Sequence, residues 1–200
     1  MVRNMKIGIL ALQGAFAEHE KILDRLQTEY FEIRQRKDID QDFDALIIPG
    51  GESTVISKLL QELELLEPLK KRIMEGMPVW GTCAGLILLA ARVEGGTPAF
   101  GTMDITAKRN AYGRQLGSFV CTECFEEIGE IPMTFIRAPY IAEAGEDVKV
   151  LASVNGRIVA ARQRNQLVTA FHLEVTKDTR VHEYFVQMIE KDGLQLQNSI

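Results

Sequence analysis

A chain of 200 residues, 46% hydrophobic and 26% charged, has the balance of a globular domain able to bury a sizeable core. Its formal net charge of −5 argues against nucleic acid as the main partner, and no apolar run is long enough to span a membrane. Three cysteines, an odd number, do not make the disulfide framework of a small secreted protein, so a cytoplasmic location is expected.

Met1 to Asn4 read as a short extension without a signal-peptide layout. Lys6–Leu12 follows as a buried strand that ends in Gln13-Gly14. Phe16, His19, Ile22, Leu23 and Leu26 then share one stripe of a helix reaching about Thr28. Tyr30–Arg34 reads as a second strand and Ala45–Ile48 as a third, apolar throughout, as expected where both faces are covered. The alternation of strand and helix predicts an α/β fold: three layers, a mostly parallel sheet with helices on both faces. Pro78 to Trp80 is a further buried strand, followed by an apolar helix-forming run, Leu86 to Ala91. Beyond Ala91 the texture changes to short strand-like pieces, 105–108, 116–121, 133–137, 148–154 and 158–162, which predict antiparallel additions in the second half. Asn155-Gly156 between the last two is a hairpin signal. Leu167–Phe171 returns as a buried strand, and a closing helix runs from about Thr179 to Lys191, with Val181, Tyr184, Phe185, Met188 and Ile189 on one face. With no repeat or linker, one domain over residues 1–200 is expected.

In a sheet of this kind functional groups gather at the carboxyl ends of the strands. Gln13, Gly50-Gly51 and Cys83 all fall there. Gly81-Thr82-Cys83-Ala84-Gly85 is the thiol form of the Gly-x-Ser-x-Gly elbow, in which a strand turns sharply into a helix. The turn strains its central residue and requires neighbours almost free of side chain, and it points the thiol at a helix N-terminus, where thiolate is favoured. A buried, inert cysteine is the competing reading. A thiol nucleophile needs a base and the base an orienter. Of the three histidines, His19 reads as a packed helix residue, and His182 as part of a solvent-facing stretch beside Glu183. His172 follows a buried strand, and Glu174, two residues on, can share its side. The alternative is a strand-end histidine beside a solvated glutamate. Pro49-Gly50-Gly51-Glu52-Ser53-Thr54 offers backbone N–H groups for an oxyanion, with Ala84 supplying another, although Ser53 or Thr54 could equally cap the next helix. The loop has neither a Walker A lysine nor a Gly-x-Gly-x-x-Gly. Cys121-Thr122-Glu123-Cys124 lacks the further ligands of a zinc site and closes a strand instead of opening a helix, so it reads as coincidence. No metal and no cofactor is expected.

Gly81-Thr82-Cys83-Ala84-Gly85, Pro49-Gly50-Gly51-Glu52-Ser53-Thr54 and Phe171-His172-x-Glu174 together resemble the class I (triad) glutamine amidotransferases. Leu12-Gln13-Gly14, Arg109-Asn110, Phe135-Ile136-Arg137-Ala138-Pro139 and Asn155-Gly156-Arg157-Ile158-Val159-Ala160 narrow the likeness to the glutaminase subunits of pyridoxal 5'-phosphate synthase. The resemblance implies hydrolysis of L-glutamine to L-glutamate and ammonia. The ammonia passes to a (β/α)₈ pyridoxal 5'-phosphate synthase barrel subunit, which joins it to a pentose phosphate and a triose phosphate for vitamin B6 biosynthesis; in the family the two subunits assemble into large rings. It further implies Cys83 as nucleophile, His172 as acid–base and Glu174 as orienter. Gly51, Glu52 and Ser53 match the glutamine-binding loop, and Arg109, Ile136 and Arg137 match further substrate contacts. Gly50, Gly51, Ala84 and Gln13 would form the oxyanion site, with Gln13 completing it when the synthase docks. Leu173 stands where the family usually has proline, which bears on the rigidity of the His–Glu turn. Three other readings share parts of the pattern: a glutaminase subunit of another biosynthetic amidotransferase, a DJ-1/PfpI-like cysteine protein, and a flavodoxin-like binding module with an inert cysteine.

Overall fold

The computed structural model describes residues 5–109 and 118–197, the last six of these by backbone alone. The extension at residues 1–4, Asn110 and the first two residues of the strand expected at 116–121 lie outside the described residues. Strands β1 (Lys6–Leu10), β2 (Glu29–Ile33), β3 (Ala45–Ile48) and β4 (Val79–Thr82) form the first half of the sheet. They are joined by helices α1 (Phe16–Arg25), α2 (Ser53–Glu62) and α3 (Leu66–Met74) and by a 3₁₀ turn at Arg36–Asp40. Helix α4 (Ala84–Leu89) runs straight into β5 (Ala90–Val93). Next come β6 (Met103–Lys108), β7 (Ser118–Phe125), β8 (Gly129–Ile136), β9 (Tyr140–Ala144), β10 (Lys149–Val154), β11 (Arg157–Gln163), β12 (Gln166–Thr169) and α5 (Arg180–Gln197).

The ten-stranded main sheet has the order β2-β1-β3-β4-β12-β11-β9-β6-β5, with β10 pairing against β11. Its β2-β1-β3-β4-β12 part is parallel throughout. The β12/β11, β11/β10, β11/β9 and β9/β6 pairings are antiparallel. The expected parallel core with antiparallel additions is therefore present, and β7 and β8 form a separate two-stranded ribbon. Every residue of β3, β4 and β12 is buried, so both faces of the sheet centre are covered.

Alternation along β4 shows what covers each face. A Cβ on Gly81 would stand 2.5 Å from the Gly85 carbonyl carbon and 2.9 Å from Leu89 Cδ1, so α4 packs on the Gly81 side. Trp80 points the other way, into a layer where it meets His19 of α1 and His182 and Phe185 of α5 edge-on or tilted. Helices therefore lie on both faces, as the sequence predicts.

Some expectations change in detail. The run Leu86 to Ala91 is not one helix: Ala90 and Ala91 already belong to β5, because Phe100 and Thr102 donate to the carbonyls of Leu88 and Leu89 and draw the chain into an extended edge. The hairpin at Asn155-Gly156 has both residues at positive φ, 50° and 74°, which suits the primed turn that joins twisted strands.

Candidate active site

Cys83 stands between β4 and α4 at φ 48°, ψ −97°, a conformation that costs a non-glycine residue energy and persists only where its surroundings enforce it. The surroundings are visible. The Cys83 N–H donates to the Thr169 carbonyl at 2.8 Å, tying the elbow to β12. On the other side α4 lies so close that a Cβ on Gly85 would be 2.2 Å from the Ile48 carbonyl oxygen. Both elbow glycines are thus required by close approach.

The exit of β12 leads to His172. The Ala170 N–H donates to Val159 and the His172 N–H to Thr134, both at 2.7 Å, so β11 and β8 hold the strand exit. His172 Nδ1 lies 2.5 Å from Glu174 Oε1, which leaves Nε2 as the free ring nitrogen, and the ring lies beside Cys83, since a Cβ on Gly50 would meet both. Leu173, standing where the family usually has proline, has its side chain fully buried, and its carbonyl accepts from the Thr176 N–H (2.9 Å) and hydroxyl (2.8 Å). Packing and a hydrogen-bonded turn supply the stiffness that a proline ring would give.

The glycine loop closes against this pair. A Cβ on Gly50 would be 2.3 Å from His172 Cε1 and 3.3 Å from Cys83 Cβ. The Gly50 carbonyl accepts from the Ala15 N–H at 2.9 Å, and Gln13 Oε1 accepts from the Glu52 N–H at 2.7 Å. Gly14, between them, has φ +105°, and a Cβ there would be 1.8 Å from the Gly50 oxygen. Two strand-end loops are thus locked together around the thiol, with Gly51 against Gln13. Glu52 occupies the N-cap position of α2 but makes no side-chain cap, so the capping role open to Ser53 or Thr54 is not realised: Ser53 is the buried first residue of the helix, and Thr54 accepts from Arg109 Nη1 at 3.4 Å. Arg109 Nε is buried without a partner among the described residues. Ile136 and Arg137 follow the Thr134 carbonyl that holds His172; both are exposed, and Arg137 has φ 45°. Ala84 is the buried first residue of α4.

Cys121 and Cys124 lie within β7, opposite Met133 and Glu130 of β8, and both are free thiols. No group of three or more histidine, cysteine or acidic side chains suited to a metal ion occurs among the described residues. No described helix is long and apolar enough to cross a membrane.

One expectation is corrected. His182 is not solvent-facing; it is 1% exposed and pairs through Nε2 with His19 Nδ1 at 3.0 Å. The periodicity contained the signal: His182, Phe185 and Ile189 are spaced i, i+3, i+7 on the apolar face of α5. His19 is buried, as expected, but it lies directly behind Glu174, its Nε2 4.0 Å from Oε2.

The electrostatics follow from burial and pairing. Burial disfavours charge on His172, yet Cys83 and the hydrogen-bonded Glu174 beside it outweigh that effect and raise its pKa to about 10. Burial likewise opposes charge on Glu174, but His19 and His172 more than offset it, and the carboxyl is held below its usual range. His19 and His182 are both pushed down to about 3, chiefly by burial. Both are therefore neutral near pH 7, and His19 offers Glu174 an N–H dipole, not a charge. An imidazolium beside a thiol, oriented by a buried carboxylate, is the pairing that activates a cysteine nucleophile.

The same architecture and sequence recur in known proteins. The family model described as the SNO glutamine amidotransferase family matches residues 9–191. The pyridoxal 5'-phosphate synthase subunit PdxT of Methanocorpusculum labreanum is 63% identical over 185 residues, covering 92% of this chain and 98% of its own. PdxT of Desulfitobacterium hafniense is 54% identical over 186 residues, covering 92% and 94%. A solved structure described as a glutamine amidotransferase superposes with a TM-score of 0.87 at 42% identity over 92% of this chain and 98% of that one. A glutamine amidotransferase from Thermotoga maritima shares the fold at a TM-score of 0.61 and 14% identity, covering 96% of this chain and 86% of its own. With its elbow cysteine, its His–Glu pair and this match over nearly its whole length, the chain belongs to the SNO glutamine amidotransferase family.

Proposed function

We propose that this chain is the glutaminase subunit of a pyridoxal 5'-phosphate synthase, hydrolysing L-glutamine and delivering ammonia to the synthase barrel subunit. The observation that carries the reading is the strained Cys83 beside His172, whose Nδ1 is held 2.5 Å from the buried Glu174. The names of the relatives support the partner and the pathway, and family membership favours this over the DJ-1/PfpI-like and flavodoxin-like alternatives.

In this mechanism the Cys83 thiolate attacks the side-chain amide carbon of glutamine. The oxyanion that develops takes N–H donors from Ala84 and from the Gly50-Gly51 loop, each worth on the order of 10²-fold in rate. His172, protonated at Nε2, gives its proton to the amide nitrogen; the C–N bond breaks, and ammonia leaves a thioester on Cys83. Neutral His172 then takes a proton from water, which attacks the thioester and releases L-glutamate and the thiolate. Glu174 keeps the Nδ1 proton in place and stabilises the imidazolium throughout. Gly51, Glu52 and Ser53 line the glutamine-binding loop, and Arg109, Ile136 and Arg137 bind the amino-acid end. Gln13 holds the loop through Glu52 in the chain by itself, and synthase docking redirects it to complete the oxyanion site. The chemistry requires no metal or cofactor, and the protein acts in the cytoplasm as a single domain without nucleic acid or membrane.

The test is transfer of nitrogen. With L-glutamine labelled at the amide nitrogen, the reconstituted complex, supplied with pentose and triose phosphates, is expected to place the label in pyridoxal 5'-phosphate. Glutamate release without labelled product would assign the chain to a different acceptor enzyme.

A further inference from the structure

Behind the triad lies a set of buried polar groups that the mechanism above does not use. Glu174 spends one oxygen on His172; the other, Oε2, is buried and has no hydrogen-bond partner among the described residues. The donor-capable atom facing it is His19 Nε2, at 4.0 Å, which also lies 3.4 Å from Thr82 Oγ1. The far side of the His19 ring pairs through Nδ1 with His182 Nε2 at 3.0 Å, and Trp80 packs against both rings.

These contacts select a tautomer. If His19 carried its proton on Nδ1, a bare Nε2 lone pair would face a buried carboxylate, an unfavourable contact in a low-dielectric interior. With the proton on Nε2, His19 accepts at Nδ1 from His182 and points an N–H dipole between Thr82 and Glu174 Oε2. The protons then run in one sense: His182 to His19, His19 toward Glu174, and His172 to the other oxygen of Glu174.

We infer that His19, seated in a buried imidazole pair with His182, is a positioning residue that holds Glu174 ionised and aimed at His172 by directing its Nε2–H at the free carboxylate oxygen. The titratable groups facing Glu174 are His172 from its own segment and His19 from α1. Those facing His19 are Glu174, His172 and, from α5, His182. The elbow thus places its catalytic strand end against α1 and α5, which otherwise read as packing helices. The inference rests on the glutaminase reading.

The test compares His19→Leu, His19→Gln and His19→Asn in the complex with the synthase barrel subunit, measuring glutamate release against pH. The Gln amide can reach the Nε2 position, whereas Asn reaches only Nδ1. His19→Leu and His19→Asn are expected to lower kcat about tenfold, the scale seen when outer partners of functional side chains are removed, with KM within twofold of wild type. Both should move the acidic limb of the kcat profile up by about one pH unit, since Glu174 then protonates more easily. His19→Gln should restore most of the rate and the original limb. Should His19→Leu fail to fold, the Asn and Gln variants, alike in polarity, carry the comparison. An unmoved acidic limb, or an equal loss of rate in Asn and Gln, would reduce His19 to packing and overturn the inference. An inactive wild-type complex would instead remove the glutaminase reading beneath it.

Discussion

Gly50 stands against the His172 ring so closely that a single added methyl group would lie 2.3 Å from Cε1. The Gly50-Gly51 loop and His172 are therefore one mechanical unit. The loop cannot shift toward the thiol without moving the imidazole. Gly50→Ala is expected to lower kcat by about 10²-fold or more, because roughly an ångström of displacement at a reacting group has that effect. Circular dichroism should report an intact fold. Wild-type turnover in a folded Gly50→Ala variant would mean that the ring has room the structure does not give it.

The His172–Glu174 contact makes a second prediction. The raised pKa of His172 reflects Cys83 and Glu174 working against burial. Replacing a negative partner by a neutral amide favours the uncharged imidazole, so Glu174→Gln should lower the His172 pKa, read from its ring resonances by NMR titration. An unchanged value would show that Cys83 alone sets it.

The buried histidine pair predicts acid sensitivity. His19 and His182 have folded pKa values of about 3, below the ordinary 6.5. As pH falls below 6.5, the unfolded chain takes up protons that the folded chain refuses, and stability drops by up to about 1.4 kcal/mol per pH unit for each histidine. His172, with its raised folded pKa, acts the other way: folded His172 already holds the proton that the unfolded chain takes up through pH 6.5, which offsets part of the drop, and Glu174 adds to the loss only below about 4.5. Urea unfolding at pH 7.0 and 5.5 should show the net drop, and His182→Phe should remove more than half of it. A drop of the same size in that variant would place the proton uptake elsewhere.

Cys121 and Cys124 offer a contrast. They lie three positions apart in a two-stranded ribbon, as free thiols. Cys121→Ser with Cys124→Ser is expected to leave glutamine turnover within twofold of wild type. A large loss would revive a metal or redox role.

What could be read from the sequence follows from the range of the forces involved. The elbow was legible because its demands are local: the glycines flanking Cys83 answer to close approach within a few residues. The His172–Glu174 pair was legible because the two lie two residues apart just beyond a buried strand, although a turn at Leu173–Thr176, not an extended segment, brings them together. His182 reads as solvent-facing from its charged neighbour Glu183, whereas the helical phase it shares with Phe185 and Ile189 puts it in the core. The contact between His19 and Glu174 joins α1 to the end of β12 across the sheet, and no local pattern encodes such a meeting. The break between α4 and β5 is tertiary in the same sense: hydrogen bonds from Phe100 and Thr102 override the helix propensity of Leu88 to Ala91. Leu173 in place of proline has its effect through burial and through Thr176, which only the fold brings to it.

The central claim is that Cys83 is the nucleophile of glutamine hydrolysis. The most direct measurement is glutamate release from L-glutamine by wild type and Cys83→Ala, each with the synthase barrel subunit. Turnover by the wild type and none above background by Cys83→Ala is the predicted result. Comparable release by the two proteins would contradict it.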